Sequence, residues 1–139
     1  MSIGIKSKEI IALVGESGSG KSILSRAIMN LIPAPGKLIS GSILYGETDL
    51  LSLSHEKLAS LRGRKIATIV SNPKGELDPL ETVGQQISNV IIHHLGLTRE
   101  QAKEKSIQLL QDVQIPYPKR RFDAYPHELS GGMAQRVII

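Results

Sequence analysis

Apolar residues along the chain fall into short unbroken runs, and into longer stretches where they recur every three or four positions. Glu9-Ile10-Ile11-Ala12-Leu13-Val14 is the first short run, as expected of a strand buried in a parallel sheet. Ser22 to Ile32 follows, placing Ile23, Leu24, Ala27, Ile28 and Leu31 on one broad face at helical spacing. Pro33-Ala34-Pro35-Gly36 breaks that pattern, and Gly41-Ser42-Ile43-Leu44-Tyr45-Gly46 predicts a hairpin strand bracketed by glycines. Ser54 to Leu61 predicts a short helix, and Lys65-Ile66-Ala67-Thr68-Ile69-Val70 a strand, because it is apolar and β-branched. Ser71 to Pro79 is a loop held by two prolines, beginning where a strand's carboxyl end faces a ligand crevice in an open α/β sheet. Val83 to Leu95 predicts a helix ended by Gly96. Thr98-Arg99-Glu100-Gln101 has the form of a capping box opening another helix through Val113, with Ala102, Ser106, Leu109, Leu110 and Val113 on one face. The order gives an α/β fold with a helical unit inserted after a strand, and no internal repeat, low-complexity segment or flexible linker interrupts it.

Between the first predicted strand and helix lies Gly15-Glu16-Ser17-Gly18-Ser19-Gly20-Lys21-Ser22, which matches the phosphate-cradling loop G-x-x-x-x-G-K-[ST] at every fixed position. Glycines at 18 and 20 let the backbone aim consecutive N–H groups at phosphate oxygens, and the helix N-terminus adds its positive dipole. Lys21 is expected to reach the β- and γ-phosphates and Ser22 to offer its hydroxyl to Mg²⁺. The expected ligand is a nucleoside triphosphate, held by Gly15, Ser17, Gly18, Ser19, Gly20, Lys21 and Ser22.

Composition narrows the setting. At 139 residues and 40% hydrophobic, the chain is the size of one domain with enough apolar side chains for a core. Aromatic residues make up only 3%, too few for the stacking platforms of single-stranded nucleic-acid binding, although the net charge is +4. The basic groups Arg62-Gly63-Arg64-Lys65 and Lys119-Arg120-Arg121 read as solvated surface rather than a phosphate track. With no cysteine there is no disulfide framework and no thiolate site, in keeping with the cytosol. The first eight residues lack the apolar stretch of a signal peptide, and no run approaches the roughly 18 apolar residues of a spanning helix. The four histidines, His55, His93, His94 and His127, are scattered without metal-ligand spacing.

A second turn also suits an anion. In Tyr125-Pro126-His127-Glu128-Leu129-Ser130-Gly131-Gly132-Met133-Ala134-Gln135-Arg136, serine and two glycines precede a helix, exposing N–H groups at its positive end. From these residues alone a plain helix start capped by Ser130 is the favoured reading. With the first loop, Leu129 to Met133 resembles the signature motif of ABC transporter ATP-binding subunits. Tyr125-Pro126-His127-Glu128, Gln135-Arg136, Arg64 to Ile69 and Asn72-Pro73 resemble the oligopeptide, dipeptide and nickel importer branch, over nearly the whole chain. The resemblance implies a P-loop fold cut at both ends. Residues 1–82 would carry part of the core with a small β excursion, and 83–139 a helical subdomain that leans on membrane-spanning subunits. It further implies a dimer in which the first loop of one subunit and Ser130, Gly131 and Gly132 of the other clamp ATP with Mg²⁺, at the inner face of the membrane and without nucleic acid. Closure driven by ATP would switch the transporter.

Two positions depart from that pattern. Ser71 stands where the family usually has a glutamine thought to touch Mg²⁺ and the attacking water, and serine is too short for that reach. Ala134 replaces a common arginine outside the expected phosphate contacts. A P-loop ATPase also needs an acidic residue at the end of a neighbouring strand, and none of the thirteen acidic residues follows four apolar ones. The family's acidic strand and switch histidine would come after Val137-Ile138-Ile139, so no catalytic group is identified and hydrolysis by these residues alone is not expected. A nucleotide- or partner-binding piece without turnover is the main alternative. A small P-loop kinase does not explain Leu129 to Met133, and a DNA-repair ATPase usually separates the two motifs by long insertions.

Overall fold

The computed structural model describes residues 2–139. They form two compact units, one running to Ala67 and the other from Thr68 to Ile139. In the first unit, helix α1 spans Lys21–Ile28, and β1 (Leu44–Tyr45) pairs antiparallel with β2 (Thr48–Asp49) across a turn at Gly46. A single 3₁₀ turn, Leu50–Ser52, leads to α2, His55–Leu61, which Ser54 caps by accepting a hydrogen bond from the Lys57 N–H. Arg62 ties the end of α2 to the end of α1, its guanidinium donating to Met29 O at 2.7 and 3.0 Å and to Asn30 O at 3.2 Å.

The periodicity carried α1 to Ile32, but the helix closes at Ile28. Asn30 takes φ 49, and Leu31 N–H bonds back to Arg26 O at 2.8 Å, a left-handed cap that turns Leu31 out to solvent. Ala27 is the member of the expected apolar face that becomes buried; Ile23 is exposed.

The two predicted strands are the larger correction. Neither 9–14 nor 65–70 joins a sheet: the one ladder among the described residues is β1 with β2, and near the second run only an isolated bridge links Arg62 and Ile66. Ile10 and Val14 are 96% and 91% exposed. An apolar run becomes a strand only when neighbours satisfy its backbone and cover its faces, and no described segment does so here. Among the described residues the sheet of the expected α/β fold is represented by a two-stranded hairpin alone, beside helices.

The second unit is helical. Asn72 precedes a one-turn helix α3, Pro73–Glu76, inside the predicted proline loop, with Pro73 in the first turn where a missing N–H costs nothing. Helices α4, Val83–Leu95, and α5, Arg99–Asp112, match the sequence expectation closely, each opened by a capping box, Thr82 with Gln85 and Thr98 with Gln101. Gly96 at φ 65 ends α4, and the short turn lets α5 pack on α4. Across that contact Ser88 Oγ lies 2.9 Å from Ser106 Oγ. Ser106, fully buried, uses its proton on Ala102 O at 2.6 Å, so Ser88 is the donor between them. Leu109, expected on the buried face, is 36% exposed while Leu110 takes the core position.

Short helix α6, Pro118–Phe122, and α7, Gly131–Ile138, complete the unit, separated by a 3₁₀ turn at Pro126–Glu128. The core joins Leu77, Val83, Leu110, Ile115, Phe122, Leu129 and Ala134. Phe122 packs so closely on α4 that a Cβ at Gly84 would sit 2.3 Å from its ring. No described helix is long and apolar enough to cross a membrane.

Candidate functional site

Gly15 to Ser22 leads directly into α1. Gly18 and Gly20 adopt φ 81 and 94, a region that side chains with a Cβ enter at a cost, so glycine at these two positions has a backbone reason. Gly20 is also the helix cap, with no side chain to satisfy the first turn. The first helical bond runs from Leu24 N–H to Gly20 O at 2.9 Å, which leaves the N–H groups of Lys21, Ser22 and Ile23 ahead of the ladder and facing outward. Their partial charge and the helix dipole favour an anion at this point.

The Lys21 ammonium bends back over the loop. It donates to Gly15 O and Glu16 O, each at 2.6 Å, and to Ser19 Oγ at 3.2 Å. The loop itself is closed by Ser19 N–H to Glu16 O at 3.2 Å. Gly15 permits this curl, because a Cβ there would lie 2.8 Å from Ser19 Oγ. The ammonium is thus poised at the loop mouth by carbonyl oxygens, with an exposed setting from which it can turn to an incoming phosphate. A cleft of about 210 Å³ lies here, lined by Leu13, Val14, Gly15, Ser19, Gly20, Lys21 and Leu24. A larger concavity of about 470 Å³ borders Asn30, Lys37 and Gly41; it contains no residue of the Gly15 to Ser22 motif and one charged side chain.

Ser17 lies on the exposed loop turn, and Ser22, on the first turn of α1, is exposed with its hydroxyl free of any described partner. Among the described residues no three His, Cys, Asp or Glu side chains gather as a metal site. Backbone N–H groups, an ammonium and a hydroxyl are donors of the kind that take phosphate oxygens, and a serine hydroxyl can also serve as one oxygen ligand of Mg²⁺.

In the second unit, Ser130 is the cap of α7. Its Oγ accepts the Met133 N–H at 3.2 Å, as either reading of the turn requires. Gly131 and Gly132 are exposed, and a Cβ at either would meet nothing within 4 Å. The residues before it are ordered by contacts that sequence reading missed. Glu128 Oε2 accepts the Tyr125 N–H at 2.7 Å, and the Tyr125 and His127 rings stack at 5.8 Å. The Glu128 contact was legible as acceptor spacing about a proline-started turn. Also missed was Gln86, whose side-chain amide accepts the Asp78 N–H at 2.9 Å and donates to Asp78 O and Glu81 O, fastening the 78–81 loop to α4. Ser71, exposed, lies just before α3.

The family described as ABC transporter matches residues 1–139. The chain is 45% identical to an oligopeptide transport ATP-binding protein, AmiE, of Streptococcus pneumoniae, over all of this chain and 39% of that protein. It is 46% identical to the oligopeptide transport ATP-binding protein OppD of Bacillus subtilis, over 94% of this chain and 37% of the relative. Against the dipeptide transport ATP-binding protein DppD of Escherichia coli it is 42% identical, over all of this chain and 42% of the relative. The chain therefore spans about two fifths of the length of these curated relatives. On a match that covers its whole length, this chain belongs to the ABC transporter family.

Proposed function

We propose that these residues form the phosphate-holding and signature portion of an ATP-binding subunit that couples ATP to the import of peptides or similar solutes such as nickel. Gly15, Ser17, Gly18, Ser19, Gly20, Lys21 and Ser22 hold the ATP phosphates, with Ser22 toward Mg²⁺. Ser130, Gly131 and Gly132 complete the site of a second ATP-binding subunit, and the helices after Val83 meet membrane-spanning subunits. The subunit then works on the inner face of the membrane, without nucleic acid. The fold is the P-loop class with an incomplete sheet and a helical subdomain. The observation that carries this reading is the loop itself: Gly18 and Gly20 take left-handed conformations, the Lys21 ammonium lies over the Gly15 and Glu16 carbonyls, and Gly15, Ser19, Gly20 and Lys21 line one cleft where α1 begins.

When bound, Mg²⁺ and ATP supply the phosphoryl group and neutralise its charge. The chain's own part is to bind and orient: backbone N–H groups and Lys21 stabilise negative charge on the phosphates. None of the acidic residues follows the four apolar residues that would place it at a strand end to hold Mg²⁺, so these residues are expected to bind ATP without turning it over.

Calorimetric titration of the chain with Mg²⁺ and ATP tests this. Lys21→Ala is expected to weaken binding roughly 10- to 100-fold, as for loss of a charge-assisted hydrogen bond of about 1.5–3 kcal/mol. Equal binding by wild type and Lys21→Ala would show that the loop is not the site. Phosphate release by the chain that Lys21→Ala abolishes would overturn the reading of binding without turnover.

A further inference from the structure

Gln135 and Arg136 are neighbours on α7, yet their side chains reach backbone carbonyls in two distant parts of the second unit. Gln135 Nε2 donates to Val70 O at 3.4 Å, and Arg136 Nη1 donates to Gln114 O at 2.9 Å. Both acceptors stand where regular structure is interrupted. Val70 closes the 65–70 run, which carries no ladder, and Gln114 follows α5 in the left-handed region at φ 58.

Helix α7 has only eight residues, and its one fully buried side chain is the small Ala134, with Met133, Val137 and Ile138 partly covered. So few buried side chains restrain the axis of a short helix only weakly. Consecutive helical residues point about 100° apart around the axis, so bonds from 135 and 136 restrain α7 in two directions. Both carbonyls gain a donor in the process, which a purely apolar contact would not supply.

We infer that Gln135 and Arg136 are positioning residues that fix the axis of α7 and, with it, the direction in which the N–H groups at Ser130, Gly131 and Gly132 face. Neither touches nucleotide; each acts through the helix. The value of that aim for a phosphate rests on the function proposed above, whereas the positioning itself is a property of the chain alone.

The test is therefore made without nucleotide. Amide residual dipolar couplings of α7 are measured in the ¹⁵N-labelled full chain, with α4 and α5 as the internal frame. In the double variant Gln135→Met, Arg136→Met, α7 is expected to turn by roughly 10–20°, enough to spoil a binding geometry, while α4 and α5 keep their couplings. Arg136→Lys, which retains a donor, is expected to hold the wild-type orientation. Wild-type α7 couplings in the double variant would overturn the inference. Should the double variant unfold, the two single methionine variants decide: a turned α7 in each supports the inference, and unchanged α7 couplings in both overturn it.

Discussion

At Gly84 one hydrogen atom decides whether α4 can meet Phe122. A Cβ would lie 2.3 Å from the ring carbons, and both residues sit in a packed core. Gly84→Ala is therefore expected to destabilise the chain by about 1–3 kcal/mol through overpacking, read as a lower urea midpoint; an unchanged midpoint would contradict the packing. Gly132 presents the opposite case. Nothing lies within 4 Å of its would-be Cβ, and its backbone needs no left-handed conformation. Gly132→Ala is expected to leave stability unchanged or raise it by up to ~1 kcal/mol, since alanine favours a helix. A clear loss on unfolding would contradict this. Neither packing nor backbone conformation among the described residues therefore demands a glycine at 132. Ser130→Ala removes the acceptor for the Met133 N–H, and a loss of about 1 kcal/mol is expected by the same unfolding measurement.

Among the elements, helices were far more legible than strands. Thr82 with Gln85, Thr98 with Gln101, and Gly96 at φ 65 are local devices, so residues a few positions apart were enough to mark α4 and α5. Thr98→Ala would be expected to fray the first turn of α5, raising amide exchange at Gln101 and leaving the middle of the helix protected; unchanged exchange at Gln101 would contradict the cap. The boundary of α1 was misjudged because spacing counted Leu31 as helical, whereas the left-handed Asn30 stops the helix first. The runs 9–14 and 65–70 were misjudged for a different reason. A strand's existence depends on partners far along the chain, and an apolar pattern records the need for partners without supplying them. The G-x-x-x-x-G-K-[ST] motif was legible because its fixed positions lie within eight consecutive residues, Gly15 to Ser22. Gln86, Gln135 and Arg136 were not, because their acceptors are backbone carbonyls that no side-chain pattern marks.

Over the whole molecule, exposed apolar side chains dominate the first unit. Ile10, Val14 and Ile39 are all more than nine-tenths exposed, and Ile10 and Val14 share one run that has no sheet partner among the described residues. Unpaired backbone beside bare apolar side chains favours association with other chains. Sedimentation velocity on the isolated chain is expected to show self-association that grows with concentration, and a single monomer boundary across that range would contradict it. Binding and association are separable, because the loop from Gly15 to Ser22 folds on local hydrogen bonds. The central claim is that this loop holds the phosphates of ATP. Its most direct test is an amide-shift titration of the ¹⁵N-labelled chain with Mg²⁺ and ATP. The expected result is that the amides of Gly18, Gly20, Lys21 and Ser22 move first and furthest. Shifts confined to other residues, with this loop silent at saturating ATP, would contradict the account.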